Sequence, residues 1–207
     1  MPLRSAPLPR MAGHLSFMRA RTKAICDVMP GDLAVLGVPF EDISAPYAGQ
    51  SLAPRALRET SVYFGWHANP QFSHPVDIDA RKDIETGGLH ERLCDLGDIL
   101  RGPDDAVHAA LSTATSQINR NGACAIILGG SDRLSETVQS ALPNCQTVQL
   151  GGTPSDARDF HIAPIPNGSG TTFRSDMAAQ LTRLSQWRDA SKPLFVKFDL
   201  SVFETSL

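Results

Sequence analysis

Four short strand-like runs, bounded by turn residues and separated by helical stretches, constrain this chain more than any other feature. Leu33-Ala34-Val35-Leu36-Gly37-Val38 lies between Gly31-Asp32 and Pro39. Ala123-Cys124-Ala125-Ile126-Ile127-Leu128 is a second run, residues 146–150 a third and residues 194–200 the last. Runs this apolar fit strands buried on both faces, as in a parallel sheet. Pro54 to Phe64 reads as a helix with proline at a first-turn position. Pro103-Asp104-Asp105 opens a second helix, its acids complementing the helix dipole. Val107, Leu111, Ala114 and Ile118 mark its inner face, and Asn121-Gly122 ends it. Asp132 to Leu142 and Arg174 to Ala190 are two more helices; the second carries Met177, Leu181, Leu184 and Trp187 on one face. Residues 65–103 read as irregular, and Asp159 to Ala163 as a short strand or an extended loop. The β-α-β alternation predicts an α/β fold in three layers, a mostly parallel sheet covered by helices. Residues 1–30 are expected to form an N-terminal arm and residues 31–207 the α/β domain.

Composition narrows the function. The chain has 207 residues and a net charge of −3. No basic excess exists to neutralise phosphates, so a dedicated nucleic-acid binder is excluded. No stretch reaches the roughly 18 apolar residues of a membrane span. Cys26, Cys94, Cys124 and Cys145 form no C-x-x-C pair, which excludes a zinc ribbon and a thioredoxin-type motif. Reduced thiols in a cytoplasmic protein are expected, with Cys124 buried as a small hydrophobe. Residues 1–26 carry Arg4, Arg10, Arg19, Arg21 and Lys23 and no acid, as a transit peptide would. Pro2, Pro7 and Pro9 disfavour an early amphipathic helix, so a structural arm is the better reading.

In parallel α/β folds ligands bind beyond the carboxyl ends of the strands. The three later runs lead into Gly129-Gly130-Ser131-Asp132, into residues 151–156, and to Asp199. A phosphate site at the first turn is weakly signalled, because neither a P-loop nor G-x-G-x-x-G is present and Asp132 would repel an anion. Ser131 or Asp132 as a helix N-cap accounts for that turn more simply. A metal site could draw on Asp132, Asp156 or Asp159, His161 and Asp199. Two-metal hydrolysis needs carboxylates and imidazoles converging from several strand ends, and each end here offers about one. His14, His67, His74, His90 and His108 are scattered and read as surface or packing residues.

Read in order, these segments resemble the ureohydrolase family, the arginases, agmatinases and related guanidino hydrolases. Pro9 to Arg19 resembles the agmatinase N-terminal segment, and Leu36-Gly37-Val38-Pro39-Phe40-Glu41 the G-[VI]-P-F-D turn. Gly49 with Pro54-Arg55-Ala56-Leu57-Arg58-Glu59-Thr60-Ser61 fits G-x-x-x-x-[GA]-P-x-x-[IL]-R-x-x-S. Asp95-Leu96-Gly97-Asp98 resembles D-x-G-D, and Leu128-Gly129-Gly130 the start of L-G-G-D-H. Gly168 to Arg174 resembles S-H-G-T-x-F-R, and Phe198-Asp199-Leu200 the start of S-x-D-I-D-x-x-D-P.

The resemblance implies a paired metal centre, manganese or nickel, which this chain does not keep. The histidine position of G-G-D-H is Asp132, and D-A-H-x-D is replaced by Gly151, Gly152, Thr153, Pro154 and Ser155. The last motif keeps Asp199 but has Ser201 at its second aspartate, and the histidine of S-H-G-T is Ser169. Asp132 and Asp199 are thus vestigial metal candidates, no catalytic residue is assigned, and the substrate-binding residues are unknown. Without metal charge the pKa of bound water is not lowered and hydroxide attack is lost. The chain is also short for the family: a stretch before Asp199 and a central strand after it are missing. A reduced arginase-like fold with an exposed central edge is therefore expected, and a partner is the natural cover. The expected partner is a full-length metal-binding ureohydrolase homologue, holding the manganese or nickel while this chain needs no cofactor. Such a non-catalytic subunit, similar in kind to the small subunit of heteromeric metformin (biguanide) hydrolases, would act in hydrolysis of guanidino or biguanide compounds. The alternatives are a small-ligand-binding or regulatory module and a metal hydrolase with a site rebuilt on Asp132, Asp156, His161 and Asp199.

Overall fold

The computed structural model describes residues 14–44, 48–62, 76–77, 82–83, 89–129, 131–150, 160–162 and 170–198. The strands are β1 (Arg21–Thr22), β2 (Leu33–Gly37), β3 (Val76–Asp77), β4 (Lys82–Asp83), β5 (Leu93–Asp98), β6 (Cys124–Leu128), β7 (Gln146–Leu150), β8 (Phe160–Ile162) and β9 (Leu194–Phe198). The helices are α1 (Ala53–Ser61), α2 (Leu89–Arg92), α3 (Asp104–Arg120), α4 (Arg133–Ala141) and α5 (Gly170–Trp187). The chain divides into two compact units, Met1–Ala141 and Leu142–Leu207. The first holds a four-stranded parallel sheet in the order β1-β5-β2-β6, beside a small antiparallel pair, β3 and β4. The second holds a three-stranded parallel sheet in the order β8-β7-β9. Parallel strands with intervening helices make this the α/β fold expected from the alternation.

The first sheet is apolar on both faces, as continuous runs require. On one face Val35, Leu93 and Leu128 pack with Ala20, Phe17, Met18 and Leu57 of α1. On the other, Ala34 and Cys94 pack with Val28 and Ile118 of α3. The buried positions of α3 are Val107, Leu111, Thr115 and Ile118; the predicted Ala114 is only half-buried and Thr115 takes its place. Cys124, expected inside, is exposed, because it opens β6 at the rim of the end strand.

The largest correction is β5, a sheet-interior strand inside the segment that reads as irregular. Its sequence, Leu93-Cys94-Asp95-Leu96-Gly97-Asp98, carries two acids and a glycine, which disguise it. Those residues have specific partners. Arg58 of α1, 5% exposed, grips Asp95, 2% exposed, through two parallel bonds, Nε to Oδ2 at 2.8 Å and Nη2 to Oδ1 at 2.9 Å. Its Nη1 reaches Asp98 Oδ1 at 2.5 Å and its Nη2 also donates to the Gly97 carbonyl at 2.9 Å. In a regular strand residues three apart point to opposite faces. Here the pairing with β2 slips between Val35 and Gly37, which face Asp95 and Asp98, so β5 holds one extra residue. Gly97 absorbs that bulge at φ +78°, and both carboxylates meet one guanidinium. On β2, a Cβ at Gly37 would overlap the Asp98 carboxylate and crowd Arg58.

Asp95 also fixes the N-terminal segment. Its Oδ2 accepts the Phe17 N–H at 2.7 Å, while Ser61 Oγ accepts the Met18 N–H at 2.8 Å. These bonds hold Met18 and Arg19 in the left-handed region, at φ 50° and 57°, which side-chain-bearing residues rarely adopt. β1 then follows as an edge strand beside β5.

In the second unit, Val148, Phe160 and Ile162 form a cluster closed by Leu184 and Trp187 of α5. Gln146 ties the end of that helix to β7: its Oε1 accepts from Arg188 Nη1 at 2.8 Å and from the Asp189 N–H at 2.7 Å. Leu181, expected on the inner face, is 51% exposed, and Met177 falls outside the described side chains.

Burial alone would raise the Asp95 pKa, but bonds from Arg58, Phe17 and Gly97, with the guanidinium charge, hold it below the usual carboxylate range. A depressed folded-state pKa stabilises fully above the ordinary value of about 3.9. That stabilisation is lost as pH falls from there through the depressed value. Urea unfolding should therefore show stability dropping below about pH 4, and this acid sensitivity should be blunted in Asp95→Asn. That substitution leaves buried Arg58 with only the exposed Asp98 as a charge partner and should cost on the order of 3 kcal/mol at neutral pH. Gly37→Ala should cost about 1–3 kcal/mol in the same assay through overpacking.

Candidate functional site

The site expected from sequence lies beyond the carboxyl ends of the strands. In the first unit, β2 ends at Gly37 and leads through Val38 to Phe40, Glu41 and Asp42, while β6 leads through Gly129 to Ser131 and Asp132. The Val38 N–H bonds the Leu128 carbonyl at 2.8 Å, so the two loops leave the sheet together.

Ser131 and Asp132 serve the entrance of α4. Ser131 Oγ accepts the Arg133 N–H at 3.3 Å, and the Ser131 and Asp132 carbonyls accept the N–H groups of Leu134 and Ser135 at 3.3 and 2.9 Å. This is the helix-start role that the turn chemistry suggests. Asp132 itself is exposed.

Two residues not singled out as site candidates by sequence dominate the local electrostatics. Arg133 lies over the Phe40 ring, 5.6 Å from its centroid. Its Nη1 is 3.4 Å from Asp104 Oδ2 and 3.9 Å from Asp42 Oδ1. Asp42 Oδ1 accepts the Ser44 N–H at 3.0 Å and its Oγ–H at 2.6 Å, and its Oδ2 is 3.5 Å from Ser131 Oγ. The Ser44 bonds, with the Arg133 charge, hold the Asp42 pKa below its ordinary value. The carboxylate at this mouth is therefore already served by serine and arginine. Nothing in Asp42 or Arg133 distinguishes them from loop and helix residues by pattern; only the folded approach of the two loops brings them together. His108 packs edge-on to Phe40 at 5.1 Å, with Nδ1 2.5 Å from Thr137 Oγ1, and so acts as a packing residue.

In the second unit, His161 of β8 is half-buried and pairs in register with Gln149 of β7, which pairs with Lys197 of β9. Register partners in parallel strands point to one face. The row His161-Gln149-Lys197 thus offers one imidazole, one amide and an ammonium, with no carboxylate. Asp156, Asp159 and Asp199, the positions 151–155 and Ser169 lie outside the described residues.

A paired manganese or nickel centre does not fit this donor set. Five of the six ligand positions of the resembled motifs, Asp132, Gly151, Thr153, Ser155 and Ser201, no longer hold the family's residue, and Asp199 is retained. A guanidinium stands at the described mouth, where a divalent cation would be repelled. Among the described residues no group of three or more His, Cys, Asp or Glu is placed to hold a metal ion. Restoring the motif at one turn, by Ser131→Asp with Asp132→His, should leave the purified chain without stoichiometric manganese or nickel in elemental analysis. Stoichiometric metal on that variant would overturn this assignment.

Comparison with known proteins gives the same scaffold. A model of the arginase family matches residues 31–174. A hypothetical agmatinase from Burkholderia thailandensis is 16% identical, with a TM-score of 0.61 over 91% of this chain and 68% of that one. Proclavaminate amidino hydrolase from Streptomyces clavuligerus is 17% identical, with a TM-score of 0.61 over 93% of this chain and 75% of that one. Formimidoylglutamase from Bacillus subtilis is 14% identical, with a TM-score of 0.52 over 87% of this chain and 70% of that one. Identities this low show a shared fold. No curated protein matches.

Proposed function

The chain belongs to the arginase family, and from that membership we propose that it is a non-catalytic subunit of a hetero-oligomeric ureohydrolase-type enzyme. Its partner is a full-length, metal-binding homologue that holds manganese or nickel and hydrolyses a C–N bond of a guanidino or biguanide compound. This chain stabilises that partner.

One observation carries the reading. Of the motif residues that survive, Gly37, Arg58, Ser61, Asp95, Gly97 and Asp98 hold the scaffold together, and Asp199 is the one expected ligand kept. The motif positions that have changed, Asp132 and Ser201 among them, are those at which metal ligands are expected. Loss of buried scaffold residues would be the ordinary result of decay, since broken buried ion pairs are strongly destabilising. A fold kept without its metal chemistry suits a subunit whose contribution is its surface.

The second sheet offers a surface suited to a partner. β9 pairs with β7 on one side, and it is the last strand in the order β8-β7-β9. Leu194, Val196 and Phe198 are 41%, 49% and 56% exposed along it. By register they continue the row of Val148, Leu150, Phe160 and Ile162, over which α5 places Leu184 and Trp187. The helix cover weakens at β9 and leaves an apolar strand facing water. Exposed apolar edges of this kind are contact sites or aggregation hazards.

Co-expression with an arginase-family homologue from the same genome, one with intact metal motifs, tests the proposal. The expected result is a mixed complex in size-exclusion chromatography, with guanidine- or biguanide-hydrolysing activity that the homologue alone lacks. Val196→Asp in this chain should reduce that complex at least roughly tenfold. Failure to co-purify, activity of the homologue that is indifferent to this chain, or stoichiometric manganese or nickel on the isolated chain would overturn it.

A further inference from the structure

The carboxyl end of the first sheet carries a feature that the preceding reading does not use. β2 and β5 are adjacent and parallel, and the Ile99 N–H bonds the Gly37 carbonyl at 2.9 Å, so their loops rise side by side. Between these loops is a cavity of about 190 Å³, lined in part by Phe40, Glu41, Ser51, Arg101 and Asp104. That is smaller than the roughly 300–1,000 Å³ of typical small-molecule sites and closer to the size of one or two side chains.

Chain neighbours of the lining residues are apolar and exposed. Ile43, two residues after Glu41, is 96% exposed; Leu100, before Arg101, is 89% exposed; Leu52, after Ser51, is 57% exposed. Three exposed aliphatic side chains thus stand on the segments that line the cavity, with little of their surface buried within the chain.

The charges in the cavity divide by sign and by occupancy. Glu41 accepts the N–H groups of Gly49 and Ser51 at 2.6 and 2.9 Å, and Asp104 faces Arg133 at 3.4 Å. Arg101 is exposed, and its guanidinium has no hydrogen-bond or ion-pair partner among the described residues. These segments thus hold an unpaired cation, an exposed carboxylate, Asp104, with accepting capacity left, a second carboxylate, Glu41, engaged by its own loop, and exposed aliphatic neighbours.

We propose that this face binds a second copy of the chain across a twofold axis, Arg101 of each copy entering the cavity of the other against Asp104 and Glu41. An isologous contact places one patch on itself, so it must carry both members of every charged pair. This patch does. The exposed aliphatic residues supply apolar burial beside the arginine, the usual anatomy of a contact in which few residues carry most of the energy. A wholly cationic or wholly acidic face would repel its own copy and favour a different occupant. The surface is distinct from β9 and stands or falls independently of the heteromeric reading.

Sedimentation of the purified full-length chain over a range of concentrations tests it. The expected result is a monomer–dimer equilibrium weakened by added salt. Leu100→Asp and Arg101→Glu should each weaken the dimer at least roughly tenfold, while Val196→Asp leaves it unchanged. Circular dichroism should match the parent chain in each variant, and the unfolding midpoint should match it at concentrations where the parent is monomeric. Arg101→Glu and Asp104→Arg chains should fail to self-associate but form a dimer when mixed. That complementation separates a specific charged contact from general stickiness. A chain that stays monomeric, or a dimer indifferent to Leu100→Asp and Arg101→Glu, overturns the proposal.

Discussion

The ion pair between Arg58 and Asp95 is the interaction on which the first unit depends. Burying two charges is expensive, and Coulomb attraction repays it only where every donor and lone pair is used. Here that condition is closely approached, with four of the five guanidinium N–H groups of Arg58 in place. The guanidinium reaches both oxygens of Asp95, one of Asp98 and the Gly97 carbonyl, while Asp95 accepts the Phe17 and Gly97 N–H groups as well. One pair therefore joins α1, β5 and the N-terminal segment. An apolar substitute of equal volume could fill the space but could not fix those directions. Register is what the pair specifies: Gly37 must lack a Cβ, and β5 must carry its extra residue, for the contacts to close together.

The resemblance to ureohydrolases separates into two groups of residues with different fates. The stretch around Arg58 and Ser61 and the segment Asp95 to Asp98 are family-like motifs in a bare sequence, with nothing there to say what their charges do. In the folded chain they are tied to one another and to backbone. At the strand ends, where chemistry is expected, Ser131 starts a helix, Asp42 serves Ser44 and faces Arg133, and the row through His161 ends on Lys197. The scaffold residues and the strand-end positions are separable because they are different side chains with different partners.

What could be read from the sequence follows from how each element is stabilised. β2, β6 and β7 are held by apolar burial, so their runs are visible, and β7 spans the predicted residues. β5 was not legible: its acids and glycine are satisfied by Arg58, a residue far away in the chain, and no local pattern announces that. On α3 the predicted stripe was one residue out, because Thr115 rather than Ala114 turns inward. At the site, Asp132 and His161 were legible as ligand types. Their company, Arg133 on one side and Lys197 on the other, depends on loop approach and strand register, which periodicity does not encode.

The long reach of Asp95 also sets an order of events during synthesis. The Phe17 N–H needs a carboxylate that lies 78 residues downstream, and β2 sits between β5 and β6, both of which follow it in the chain. At roughly 5–20 residues per second, the first segment waits several seconds on the ribosome before its acceptor emerges. Until then the Ser61 hydroxyl is the one partner of the two available to hold the Met18 backbone, and Val35 and Leu36 have no neighbouring strand. The nascent first third of this protein thus carries an apolar strand without a neighbour, and its maturation is timed by the arrival of a single aspartate.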